Sequence, residues 1–312
     1  MTITGVLRVW WRWPAVVTVW GLAAGGVAGC AAGRLPEAPG VRKAPVPVGR
    51  CVLKFQDKRA GRAARDRLAH DIEQYLSRRP GRVAYSMLEL DSGITLGRGE
   101  HQHDMITASG VKVDILTALV LGRGGLGEEE RDLAERMITE SDNGAADALW
   151  GRVGGAMGEF YRRMGLTETV PGPGVFWGGT NTSPADRIRL LQVLVKGGEG
   201  LSGRDRDLVL GLMGRVVKDQ SWGVSAAARP GDRVALKNGW TPRPFIHNTW
   251  AVTSYGRVVG PGRDLLLAVQ TDEQPGEGAG IETIEGVARM IGSRLDELSP
   301  TMIRSCPRNP GP

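Results

Sequence analysis

The segment Ser109-Gly110-Val111-Lys112-Val113-Asp114-Ile115-Leu116-Thr117-Ala118-Leu119-Val120-Leu121 decides how the rest of the chain is read. Wound as a helix it is apolar on nearly every side, the pattern of a buried, central helix. Its few polar residues therefore stand out. Ser109 and Lys112 are three apart, so one helical turn puts them on a common face with the amine within reach of the hydroxyl. A serine hydroxyl is a poor nucleophile until a base removes its proton. A lysine among apolar side chains and near another cation loses proton affinity and can be that base, whereas an arginine stays charged. The chain has seven lysines against thirty-three arginines, so a lysine here is a marked choice. Asp114, out of place in an apolar helix, is expected to pair with a core arginine.

Upstream of this segment, Leu68, Ile72, Tyr75 and Leu76 recur at helical spacing. Val83 to Leu90 reads as a strand and Ile94 to Leu96 as its hairpin partner across Asp91-Ser92-Gly93. Downstream, Glu128 to Glu130 open a helix with Leu133, Met137 and Ile138 inside, and Asn143 to Met164 continues helically. Ser183-Pro184 caps another helix with Ile188, Leu191 and Leu194 on one stripe, and Ser202 caps a further one. Strand-like runs follow at Val234 to Asn238, Thr249 to Tyr255 and Leu265 to Thr271. A last helix carries Ile281, Ile284, Val287, Ile291 and Leu295. Strands at both ends with helices between them give an α+β fold, an antiparallel sheet from N- and C-terminal strands with a central helical subdomain.

The ends of the chain point to export. Arg8 and Arg12 precede an almost uncharged stretch that closes on Val27-Ala28-Gly29-Cys30, the order of a signal peptide. The apolar run is short and Gly-rich for a membrane span. Residues 1–29 are read as a signal peptide, 30–50 as a flexible tether, 51–298 as the folded domain and 299–312 as a Pro-containing tail. In an oxidising compartment Cys51 and Cys306 form a candidate disulfide, with two free thiols as the alternative. The net charge of +6 (40 basic against 34 acidic side chains) is scattered, without a basic run, so no nucleic-acid partner is expected. His101-Gln102-His103 lacks accompanying ligands, and neither a metal nor a cofactor is expected. A monomer is expected.

Two further short segments complete the chemistry. Ser141-Asp142-Asn143 falls where one helix ends and the next begins, so a hydroxyl and an amide can point into one cleft. Lys237-Asn238-Gly239 falls on a strand and brings a second cation, with a glycine that lets a substrate lie close to the strand edge. Each triplet is short enough to arise by chance; their order and placement carry the weight.

Together these segments resemble the class A β-lactamase and penicillin-binding-protein superfamily, marked by S-x-x-K, S-D-N and K-T-G. The similarity runs from about Val83 to Leu295. It is closest to actinobacterial lipoprotein members, with Lys112-Val113-Asp114-Ile115-Leu116 and Trp177-Gly178-Gly179-Thr180 as shared segments, and Cys30 resembles the lipidated cysteine of a bacterial lipobox. The resemblance implies an extracytoplasmic serine hydrolase, lipid-anchored to the cell membrane or secreted, acting on a β-lactam or peptidoglycan-peptide-like substrate. Ser109 would form the acyl-enzyme, Lys112 would be its base or one end of a proton relay, and Ser141 would pass a proton to the leaving nitrogen. Asn143, Lys237, Asn238 and Gly239 would bind substrate, and the backbone N–H groups of Ser109 and Trp240 would form the oxyanion hole.

Three departures from the family pattern bear on activity. Asn238 replaces a Thr or Ser whose hydroxyl binds the substrate carboxylate. The stretch from Ser109 to Ser141 is short, which should trim one wall of the cleft. The loop from Thr169 to Asn181 has no carboxylate where class A β-lactamases carry the Glu that activates the deacylating water, and Glu168 lies just before it. Acylation should therefore outrun deacylation. A non-catalytic lipoprotein that holds cell-wall peptide, or a D,D-peptidase or esterase, stays open as an alternative.

Overall fold

A computed structural model describes residues 52–121 and 123–305. The signal peptide, the tether, Cys30, Cys51, Cys306 and the last residues of the tail lie outside the described residues. In chain order, strand β1 (Val52–Gln56) and helix α1 (Lys58–Leu76) precede the hairpin β2 (Arg82–Glu89) and β3 (Ile94–Arg98), then the two-residue strand β4 (Met105–Ile106). A helical block follows: α2 (Lys112–Val120), α3 (Glu128–Thr139), α4 (Asn143–Val153), α5 (Met157–Met164), the short strand β5 (Asn181–Thr182), α6 (Pro184–Lys196) and α7 (Gly203–Met213). Three long strands, β6 (Arg233–Arg243), β7 (Thr249–Gly260) and β8 (Arg263–Gln274), lead to α8 (Glu277–Arg294) and β9 (Thr301–Ser305).

The main sheet has the order β3-β2-β8-β7-β6, with every neighbouring pair antiparallel. Its centre, β8, shows why the molecule has two cores. Successive side chains of a strand face opposite ways. Leu265, Leu267 and Val269 join the core that holds Leu68 and Ile72 of α1 with Ile284, Val287 and Ile291 of α8. Leu266 and Ala268 join the core of the helical block, built around α2, α4 and α6. Each of these leucines is fully buried, contributing on the order of 1.5–3 kcal/mol. This is the α+β arrangement expected from the sequence.

The details differ at four places. The segment set apart as a tail begins with β9, which pairs with β1 in a register of Val52 with Ser305 through Gln56 with Thr301. The helix expected from Asn143 to Met164 breaks at Gly154-Gly155-Ala156 into α4 and α5. The Trp150 ring folds back over Gly154, so closely that a Cβ there would lie 2.8 Å from its Cε2, and glycines weaken the helix at that point. Ser109 sits in a 3-10 turn, Ala108–Val111, ahead of α2 rather than inside it. Strand β6 runs past Asn238 to Arg243 through Gly239 and Pro242. It is the outermost strand of the sheet, where a proline leaves no ladder bond unmade.

Candidate active site

The turn bearing Ser109 is held from two sides. Strand β6 crosses it at Gly239, where a Cβ would stand 2.3 Å from Thr107 O, 2.7 Å from Gly110 N and 2.8 Å from Ser109 N. Gly239 is thus needed for the nucleophile turn to approach the strand. The sequence reading had assigned that close approach to a substrate. From the other side the buried Tyr255 of β7 donates its hydroxyl to Gly110 O at 2.8 Å. Behind Tyr255 lies Arg187 of α6, its guanidinium 5.6 Å from the ring centroid and paired with Asp114 at 2.6 and 2.8 Å. Both members of that pair are buried, and burial pushes the Asp114 carboxyl up against the pull of Arg187. The acid that looked misplaced in α2 thus anchors a strut running from α2 through α6 and β7 to the Ser109 turn. Ala108 (φ 45°) and Ser141 (φ 62°) both adopt left-handed backbone, strain of a kind that persists where the surroundings hold it and that clusters at functional sites.

Ser141-Asp142-Asn143 lies at the α3–α4 junction, and Asp142 explains the middle of the triplet. Its carboxylate caps α4 by accepting from Ala145 N at 2.7 Å, which holds its pKa down. Lys112, fully buried, reaches across from α2. Its Nζ donates to Ser141 O (2.6 Å), Ser141 Oγ (3.1 Å) and Asn143 Oδ1 (2.7 Å). Lys237 of β6, 1% exposed, donates to the same Ser141 Oγ at 3.0 Å and to Asn238 O at 2.8 Å. Burial lowers the pKa of Lys112 to about 7, partly opposed by Asp142 and Asp147. Burial, then the neighbouring Lys112 charge, drives Lys237 well below the usual lysine range. Two amines on one buried hydroxyl cannot both stay charged cheaply. Lys112 makes its hydrogen bonds to Ser141 and Asn143, not to Ser109.

The expected substrate-binding role of Asn238 does not match its placement. Its side chain is 1% exposed and donates to Gln220 O (2.8 Å) and Trp222 O (3.1 Å), away from the cleft. Alternation along β6 sends Lys237 one way and Asn238 the other. Glu168 is also turned away: it accepts from Ser183 Oγ and faces His101 Nδ1 at 2.9 Å. The loop from Thr169 to Asn181 is tied at its base by the Val170–Asn181 bridge and by Gly172 N donating to Thr180 Oγ1. It swings Trp177 over the site, with Lys112 Nζ 4.8 Å from the ring centroid. The indole N–H of Trp177 donates to Asp147 Oδ1 at 2.7 Å.

A cavity of about 330 Å³ opens above these groups, lined by Ser109, Asn143, Asp147, Phe176, Trp177 and Trp240 among others. The structure therefore brings Ser109, Lys112, Ser141, Asn143, Lys237, Gly239 and Trp240 to one place and leaves Asn238 out. Asp147 and the covering role of Trp177 escaped the sequence reading. Asp147 follows Asn143 by four, so helical spacing put both on one face.

The comparisons with known proteins bear on the family and the fold. The family model described as the beta-lactamase enzyme family matches residues 128–295, a span that includes Ser141, Asn143 and Lys237 and begins after Ser109 and Lys112. The "Putative lipoprotein LppW" of Mycobacterium tuberculosis is 26% identical over 223 residues, covering 67% of this chain and 69% of that protein. The solved structure of PBP-A is 26% identical with a TM-score of 0.62, covering 74% of this chain and 96% of that one. A point mutant of PBP-A, described as an acyl-enzyme complex with penicillin-G, is 25% identical with a TM-score of 0.62, covering 74% and 97%. With more than half of its 312 residues matched by one family and its fold shared with these structures, this chain belongs to the beta-lactamase enzyme family.

Proposed function

We propose that this chain is an exported serine hydrolase that forms an acyl-enzyme at Ser109 on a β-lactam or cell-wall-peptide-like carbonyl and releases it slowly. The observation that carries the reading is that Lys112 and Lys237 meet on Ser141 Oγ while Asn143, which also holds Lys112, lines the same cavity as Ser109. A neutral Lys112 amine has one hydrogen fewer than its three donated bonds use, so on losing its proton it gives up one of them, turns the lone pair to Ser109 and takes the Ser109 proton as Oγ attacks the carbonyl carbon. The N–H groups of Ser109 and Trp240 stabilise the oxyanion, a donor of this kind being worth about 3 kcal/mol. Because both amines donate to Ser141 Oγ, the Ser141 hydroxyl is left to donate its own proton to the leaving nitrogen as the C–N bond breaks, and Lys112 passes the proton taken from Ser109 on to Ser141 Oγ in its place. Lys237 then supplies positive potential for that relay, and Asn143 holds Lys112. Water must next attack the Ser109 ester, and residues 169–181 offer no carboxylate to activate it.

The test is nitrocefin turnover with intact-mass analysis. A single stoichiometric burst, with an adduct that maps to Ser109, supports the reading; sustained turnover contradicts slow deacylation, and no adduct contradicts acyl chemistry. We further propose that Cys30 carries the lipid anchor, as the name of LppW suggests for that relative; no described helix is long and apolar enough to cross a membrane. A second reading, favoured by the burial of the Asn238 amide, uses the cleft only to hold cell-wall peptide. It requires Ser109→Ala to leave ligand affinity and cellular function intact.

A further inference from the structure

The wall of the cleft beside Ser109 has an unusual charge. Among the described residues lining the cavity there is no lysine or arginine, and the one ionisable side chain is Asp147. Lys112 and Lys237 lie beneath the floor, 0% and 1% exposed, with their hydrogen bonds directed to Ser141, Asn143 and the Asn238 carbonyl. The triplet position that could offer a side-chain donor to a carboxylate is buried as Asn238. The chain as a whole carries a charge of +6, so a carboxylate as the one ionisable lining group is a local feature rather than a general acidity.

Asp147 is also held in place. Its Oδ1 accepts the Trp177 indole N–H at 2.7 Å, and the Asp147 side chain remains exposed. Lys112 already occupies the vicinity of the Trp177 ring. Phe176, 57% exposed, supplies further aromatic surface to the same cavity, while the Trp240 ring packs edge-on against Trp222 at 5.8 Å between ring centroids. A fixed carboxylate beside aromatic rings is a setting that attracts an organic cation and repels an anion.

We propose that this cleft selects an acyl donor bearing a primary ammonium on a flexible alkyl chain, with Asp147 as the residue that recognises the charge and Phe176 lying along the chain. The inference rests on the acyl-transfer reading for its site and names the class of substrate that the site takes. A substrate whose recognition depends on a free carboxylate at this wall is disfavoured.

The test is equilibrium binding to the full mature chain carrying Ser109→Ala, read by fluorescence of the cavity tryptophans. Three matched benzamides are compared, each with a four-carbon chain that ends in an ammonium, an acetamide or a carboxylate. The ammonium ligand should bind about tenfold more tightly than the acetamide, and the carboxylate most weakly. Asp147→Asn should erase the difference between ammonium and acetamide, and Asp147→Lys should reverse the order to favour the carboxylate. The proposal is overturned if the carboxylate ligand binds best to the Asp147 protein, if the ammonium preference survives Asp147→Asn, or if the ammonium ligand fails to bind. Fluorophosphonate labelling of Ser109 in the unsubstituted protein judges the acyl-transfer reading separately. Either can fail while the other stands, because the binding ranks do not depend on the Ser109 hydroxyl.

Discussion

Replacing Gly239 by alanine adds one methyl group where β6 meets the turn that carries Ser109. The new Cβ would meet three backbone atoms, Thr107 O at 2.3 Å, Gly110 N at 2.7 Å and Ser109 N at 2.8 Å. None is the free end of a side chain that could swing aside. To restore ordinary contact, which begins at 3.4 Å, the carbonyl must retreat by roughly 1.1 Å from its 2.3 Å position, carrying the turn with it. Overpacking of this kind costs about 1–3 kcal/mol of stability. A reacting atom misplaced by about 1 Å can lose on the order of a hundredfold in rate, so the shift should slow acylation of Ser109 by between about tenfold and a hundredfold. The assay is the rate of Ser109 labelling by a fluorescent fluorophosphonate, followed alongside the thermal unfolding midpoint. Gly151→Ala is the control: the same methyl on α4 meets nothing within 4 Å and should leave the labelling rate unchanged. Labelling of Gly239→Ala at the unsubstituted rate, with an unchanged midpoint, would refute the claim that this glycine positions the nucleophile.

Three further outcomes are expected. Breaking the buried Asp114–Arg187 pair with Arg187→Met alone should cost about 3–5 kcal/mol in urea unfolding, and Asp114→Leu with Arg187→Met together should recover most of it; equal costs for the single and double variants would show that the pair is not coupled. The β1–β9 register sets Val52 opposite Ser305, one residue inside Cys51 and Cys306 in the sequence. The exported protein should therefore be lighter by two hydrogens than its reduced form, with a bridge worth about 5 kcal/mol in the chain-entropy account; alkylation of both thiols without reductant would count against it. Cys30→Ala should move the protein from the membrane fraction to the soluble one, and unaltered membrane association would exclude lipidation at that residue.

What was legible in the sequence were the features that local periodicity encodes. The 3.6-residue pattern located the core faces of α1, α6 and α8, and the caps Ser183 and Ser202 each accept from the N–H three residues on. Spacing put Ser141 beside Asn143, and both meet Lys112. The β1–β9 ribbon joins segments about as far apart as the described chain allows, a pairing that leaves no local signature. The direction of Asn238 depends on which face of β6 meets the helical block, and a triplet does not encode that. Asp147 was readable in principle from its four-residue spacing to Asn143. Its importance depends on Trp177 arriving from the distant loop, which only the folded chain reveals.

The central claim is that a buried amine removes the Ser109 proton, and the pH dependence of Ser109 acylation tests it most directly. Burial lowers Lys112 to about 7, so the amine gains a proton and ceases to be a base as pH falls through that value. The rate of fluorophosphonate labelling at Ser109, confirmed by peptide mapping, should rise with pH to a plateau with a midpoint near 7, and Lys112→Met should abolish the rise. A rate that climbs only toward the ordinary lysine range, or a profile that Lys112→Met leaves unchanged, would contradict the account.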